Sequence, residues 1–241
     1  MQTDYVQRFL FERLAIRGRL VCMTGAWTRM LEGRGYPARI AETLGHGTAL
    51  AVLLGAGQKG AGRVTLQALG SGPLKLLVAD CTSELKVRGM AHYAGEAPEL
   101  GDGRLAVSYE DNASGQIHQS LVPLEGGTLA EVFENYLRRS EQIESFLHLR
   151  ADGRALCGLL LEKLPGADAK DVDGWNRVTT LGSTLGSKSR TRFSQCSCRL
   201  CSKSGSQPTP ASRKPTRSFG CASSVPSNSD PTTATSWIRS A

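Results

Sequence analysis

RVTLQALGSGPLKLLVADCTSELKVRGMAHY, residues 63–93, is the stretch that decides the fold class. Val64, Leu66 and Ala68 alternate with Arg63, Thr65 and Gln67, the period of two expected of a half-buried strand. LKLLVAD and ELKVRGMAHY largely repeat that alternation, and Gly72-Pro73 and Ser83-Glu84 punctuate the runs as turns. Neighbouring strands joined by turns this short pair antiparallel, because a parallel return needs a long crossover.

The same punctuation continues toward the C-terminus. RLAVSYE (104–110) and QIHQSLVPL (116–124) read as two more strands. Thr128 with Glu131 three residues later forms a capping box at the start of LAEVFENYLRRSEQ. Leu129, Val132, Phe133, Tyr136 and Leu137 make the apolar stripe of that helix. A hairpin follows, SFLHLRA and ALCGLLLEKLP about a turn at Asp152-Gly153, and then a last helix over Ala169–Leu181.

Toward the N-terminus, the glycine-rich GAGQKGAG (55–62) separates the strands from a helix whose first turn Pro37 suits. Ile40, Ala41, Leu44, Thr48, Ala51 and Leu54 recur there at helical spacing. Gly45 and Gly47 weaken that helix, each by about 1 kcal/mol relative to alanine. A short helix over Ala26–Glu32 precedes it, and Tyr5–Thr24 reads as extended chain. The class is α+β, helices packed on a mostly antiparallel sheet, over residues 1–185.

At Gly186 both periods stop. Residues 186–241 hold fifteen serines, five prolines and nine Lys/Arg against the single acid Asp230. The whole chain has 29 basic and 22 acidic residues, so the first 185 carry 20 against 21 and the basic pI belongs to the tail. Such a segment buries too little apolar surface to offset its ordering entropy, so a disordered tail is expected.

No apolar run approaches the ~20 residues of a membrane helix. The start, MQTDYVQRFLFERL, lacks the features of a signal peptide. A cytoplasmic chain with reduced thiols is the expectation.

Candidate sites are few. Gly55, Gly57 and Gly60 match GxGxxG, but a helix precedes them and a strand follows, the reverse of what dinucleotide binding needs. His46, His92, His118 and His148 fall on four different elements, and no GxSxG or HExxH occurs. The acids of DAKDVD read as a solvated loop. Cys22, Cys81 and Cys157 sit singly in apolar segments and read as buried structural thiols.

QCSCRLC (195–201) is the sharper feature. Cys196, Cys198 and Cys201, with Cys221, are weak candidates for zinc, because CxCxxC plus one distant cysteine is not the paired CxxC of a structural site. A thiol oxidoreductase using Cys196, Cys198 and Cys201 needs a folded scaffold to lower a thiol pKa. Nucleic-acid binding through the tail is the third alternative. It lacks regular RGG or RS repeats and has only Phe193, Phe219 and Trp237 for stacking, so a nucleic-acid partner is not expected.

Read together, FLFERLAIRGRLV, Tyr36-Pro37, VTLQALGSGPLKLLVADC, VRGMAHYAGE and HQSLVPLEGGTLAEVFENYLRRSEQI resemble the redox-regulated chaperone family, heat-shock protein 33, in order and spacing over about residues 3–185. The resemblance implies no enzyme but an ATP-independent holdase. Its partners are unfolded client proteins under oxidative or heat stress and, where it dimerises, a second copy. In the family an acidic linker and a zinc domain follow, with CxC and then CxxC holding zinc until oxidation releases it. This chain departs there. Its linker region is basic and serine-rich, Cys196-Ser-Cys198 comes early, and Ser223 stands where a second cysteine would follow Cys221. No cofactor is expected in this chain, although zinc belongs to the family, and the family's redox switch is expected to be lost. A reading-frame change near Leu185 accounts for a tail of this composition.

Overall fold

The structure is a computed structural model, and it describes residues 4–58, 60–124, 127–184, 209–210 and 220–221. Strands β1 (Tyr5–Phe11) and β2 (Ile16–Met23) lead into helices α1 (Gly25–Leu31) and α2 (Ala38–Gly55). Five strands follow: β3 (Gly62–Gly70), β4 (Leu74–Thr82), β5 (Lys86–Tyr93), β6 (Gly103–Asp111) and β7 (Ile117–Pro123). Then come α3 (Leu129–Ser140), the hairpin β8 (Ser145–Ala151) and β9 (Leu156–Lys163), and helices α4 (Ala167–Lys170) and α5 (Gly174–Ser183). Two dipeptides of the tail are strands as well, β10 (Thr209–Pro210) and β11 (Gly220–Cys221).

The strands divide between two sheets, ordered β10-β1-β2-β9-β8 and β11-β5-β4-β3-β6-β7. Every pairing is antiparallel except β11 with β5. The α+β, mostly antiparallel class holds, with two sheets where the sequence implies one. Their division rests on β2 pairing with β9, strands from opposite ends of the domain, and no local signal specifies that.

Helix α2 lies between the sheets, packed on β3, β4 and β5 on one side and on β2, β8 and β9 on the other. Thr48–Gly55 is therefore buried on every face, not only along the stripe Ile40, Ala41, Leu44, Thr48, Ala51 and Leu54. An all-round apolar helix belongs in a core. Pro37 stands at the N-cap, with extended backbone (ψ 146°), one residue before the first turn.

The two helical glycines are packing devices. A Cβ on Gly45 would come within 2.3 Å of the Ala151 Cβ, and one on Gly47 within 2.6 Å of Leu77 Cδ2. One glycine lets β8 close on the helix, and the other lets β4 do so.

Helix α3 starts as its sequence requires. Thr128 Oγ1 accepts from the Glu131 amide at 3.2 Å, and Glu131 Oε2 accepts from the Thr128 amide at 3.0 Å. Its five stripe residues are all buried. Thr128→Ala is expected to destabilise the protein by about 1 kcal/mol, the usual worth of such a cap. Urea unfolding followed by circular dichroism reads this; an unchanged midpoint would show the box to be ornamental.

The helix expected over Ala169–Leu181 is instead two pieces, α4 and α5, separated at Asp171–Asp173. Asp171 Oδ1 accepts from the Asp173 amide at 3.1 Å, and Arg177 binds both carboxylates. These side chains offer the backbone an alternative to the helical ladder, which breaks there. Among the described residues no helix is long and apolar enough to cross a membrane.

Candidate functional site

The outer face of the first sheet, turned away from α2, is apolar and buried. Alternation puts Phe9, Phe11, Ile16, Leu20, Leu159 and Leu161 on that face, where they form a second core cluster. Phe9 and Phe11 meet edge to face with ring centroids 5.3 Å apart. Gly18 makes this possible, since a Cβ there would lie 2.2 Å from the Phe9 ring. The described residues packed over the face are Leu14 and three side chains of α5: Trp175, Val178 and Leu181. Val178 is fully buried, whereas Trp175 and Leu181 are only half-buried.

One row of this face crosses four strands. Tyr5 on β1 is opposite Cys22 on β2, Cys22 is opposite Cys157 on β9, and Cys157 is opposite Arg150 on β8. The sulfurs of Cys22 and Cys157 lie 2.8 Å apart and share a hydrogen bond. That bond, helped by one from Tyr5 and opposed by burial, holds the Cys22 thiol below its usual range. The same shared bond, then burial, pushes Cys157 up.

Cys22 is buried as expected and Cys157 is half-buried, but the two are not isolated thiols, since they meet across a strand pair. Only the β2–β9 register, joining residues 135 positions apart, reveals the pair. Cys81 is as expected, buried, with its pKa raised to about 12 by burial and then by Asp80.

The remaining candidates are placed as follows. Cys196, Cys198 and Cys201 lie outside the described residues, as does the rest of the tail apart from β10 and β11. Cys221 is seen only as backbone, paired with Val87 on β5. Among the described residues, no group of three or more His, Cys, Asp or Glu is placed to hold a metal ion. His46 and His148 are near enough to lower one pKa: burial first, with His148 adding, depresses His46, and burial then Arg150 depresses His148.

The GxGxxG glycines follow a helix and precede a strand, as the sequence requires. Gly57 has a different use. A Cβ there would lie 2.4 Å from Arg19 Nη1, so the glycine makes room for a buried guanidinium at the end of α2.

The class these features define is an α+β domain organised around one buried helix and an apolar sheet face. A family model described as Hsp33 protein matches residues 4–224, and the chain belongs to that family. Relatives named 33 kDa chaperonin include one from Methylobacillus flagellatus, 37% identical over 191 residues, covering 76% of this chain and 65% of the relative. One from Pseudomonas fluorescens strain Pf0-1 is 39% identical over 197 residues, covering 77% and 65%. The chain thus spans just under two thirds of the length of these relatives.

A crystal structure of a 33 kDa chaperonin from Thermotoga maritima shares the fold, with a TM-score of 0.74 and 18% identity over 99% of this chain and 86% of that one. By these names the family is one of chaperones, not enzymes.

Proposed function

We propose that this chain is an ATP-independent holdase of the cytoplasm, binding unfolded client proteins on the outer face of its first sheet. The observation that carries the reading is that face, with Phe9, Phe11, Leu20 and Leu159 under Leu14 and the short helix α5. A buried apolar surface of this kind, once uncovered, is a binding surface for exposed apolar segments of other chains. The chaperonin names of the relatives support the same reading.

Residues 1–185 form the chaperone core in this proposal, and 186–241 stand in place of the linker and redox domain. The tail's large apolar residues are few and scattered: Phe193, Leu200, Phe219, Val225, Trp237 and Ile238. Ordering a segment costs about 1–2 kcal/mol per residue, so a composition this poor supports a chaperone whose family switch is lost. The coding DNA tests the origin of the tail. An acidic linker with CxC and CxxC in another frame after Leu185 would show a frame change.

The functional test compares the full chain with a chain lacking residues 186–241, each reduced and peroxide-treated, in suppressing aggregation of a heat-unfolded client. All four samples are expected to suppress it about equally. Suppression that vanishes with the tail would overturn the assignment to the sheet face, whereas thiol oxidoreductase or nucleic-acid-binding activity, the alternatives, should vanish with the tail. A full chain that is inert when reduced and active when oxidised would restore the tail as a regulator.

A further inference from the structure

We propose that Cys22 and Cys157 form a dithiol that hydrogen peroxide or another hydroperoxide oxidises to an intrachain disulfide joining β2 to β9. This site lies in the body of the domain and uses none of the tail cysteines. It stands whether or not the chain holds unfolded clients.

The geometry carries it. Directly opposed residues on antiparallel strands have Cα atoms about 4.5–5.5 Å apart, inside the span that a disulfide bridges without backbone movement. Here the sulfurs already lie 2.8 Å apart. The row supplies the rest of a reactive site. Tyr5 flanks Cys22 on one side and Arg150 flanks Cys157 on the other, so a phenol and a guanidinium border the pair. The shared hydrogen bond favours the thiolate on Cys22 and the thiol on Cys157. A thiolate is the nucleophile in such chemistry, and a neighbouring thiol resolves the product.

The steps balance. The Cys22 thiolate attacks one peroxide oxygen, an S–O bond forms and the O–O bond breaks. The other oxygen leaves as water or alcohol after taking a proton, and Cys22 becomes a sulfenic acid. The Cys157 thiol then attacks the Cys22 sulfur, the S–S bond forms, the S–O bond breaks, and a second water leaves with the thiol proton. Two thiols lose two electrons, and one hydroperoxide gains them. Because β2 is near the start of the domain and β9 near its end, the product ties the two ends of the core together.

Cys81 serves as the internal control, since it is buried and has no cysteine opposite it: its strand neighbours are Val64 and Val87. The test uses the full chain with Cys196, Cys198, Cys201 and Cys221 all changed to serine. The protein is exposed to hydrogen peroxide, denatured, alkylated and digested without reductant. The expected result is a peptide pair joined through Cys22 and Cys157, lighter by two hydrogens than the sum of its parts and separated by dithiothreitol. Cys81 stays alkylatable, and the pair forms at least about tenfold faster than Cys81 is lost. In Cys157→Ser, Cys22 should stop at the sulfenic acid and be trapped by dimedone. Cys22 and Cys157 both remaining alkylatable, or losing their thiols no faster than Cys81, would overturn the proposal. The first measurement needs no change at either cysteine, so a folding defect in Cys157→Ser leaves the test intact.

Discussion

Replacing Glu162 by alanine is expected to cost about 3–5 kcal/mol, the usual penalty for removing one partner of a buried ion pair. Glu162 is 4% exposed and accepts from two arginines of β2. Arg17 grips it through Nε at 2.9 Å and Nη2 at 3.1 Å, and Arg19 Nη2 reaches it at 2.6 Å. The two arginines are not equivalent. The Arg17 side chain is 47% exposed and can turn to water, but Arg19 is buried. Burial pulls the Arg19 pKa down, and Glu162 is the main influence opposing that.

Without the carboxylate, Arg19 keeps one bond, from Nη1 to the Leu53 carbonyl at 2.8 Å. That carbonyl lies in the last turn of α2, where helical oxygens lack partners, and no basic residue of the helix itself is there. The loss therefore reaches the central helix. It removes a large share of a total stability of about 5–15 kcal/mol. Urea unfolding of Glu162→Ala reads the cost directly. Arg17→Ala should cost under about 1 kcal/mol, as an exposed pair does. A Glu162→Ala midpoint no lower than that of Arg17→Ala would sink this account. The double change Arg19→Met with Glu162→Leu should recover most of the loss, because it removes both buried charges together.

That network also shows where legibility in the sequence stops. Alternation in Arg63–Tyr93 reports strands because one face of each is half-buried, and the capping box at Thr128 is a contact over three residues. Both signals are local, and both hold. Gly45 and Gly47 look like defects in α2 until the two sheets are in place, for what they accommodate is Ala151 and Leu77, far along the chain. Gly57 in GxGxxG is the same case, a glycine explained by an arginine 38 positions earlier. The candidate face was not legible, because β1 reads only as extended chain and β9 as a continuous apolar run, and neither tells which side will be covered. Nor was the thiol pair on it, because each cysteine sits in an unremarkable apolar run and only the pairing of β2 with β9 joins them.

The face itself gives the second large effect: Val178→Asp should raise holdase activity of the reduced protein severalfold while leaving the main unfolding transition in place. Helix α5 has ten residues, too few to persist alone in water. Val178 is its one fully buried large side chain, and Trp175 and Leu181 flank it half-buried. Full burial of such a side chain contributes about 1.5–3 kcal/mol, so one full anchor and two partial ones hold the helix by a small margin. An aspartate at 178 loses the central anchor and adds a carboxylate whose burial costs several kcal/mol more. Undocking is then the cheaper outcome, and Phe146 and Leu14 lose the neighbours that α5 supplies at Gly182 and Gly174. The core around α2 is a separate cluster that contains none of these residues, so it should melt as before. Three readings follow on one sample: more binding of an apolar dye, faster amide exchange confined to residues 174–183, and client aggregation suppressed at a severalfold lower protein concentration. If the dye binds and the helix exchanges but suppression is unchanged, the clients bind elsewhere, and the sheet face under α5 is not the chaperone surface.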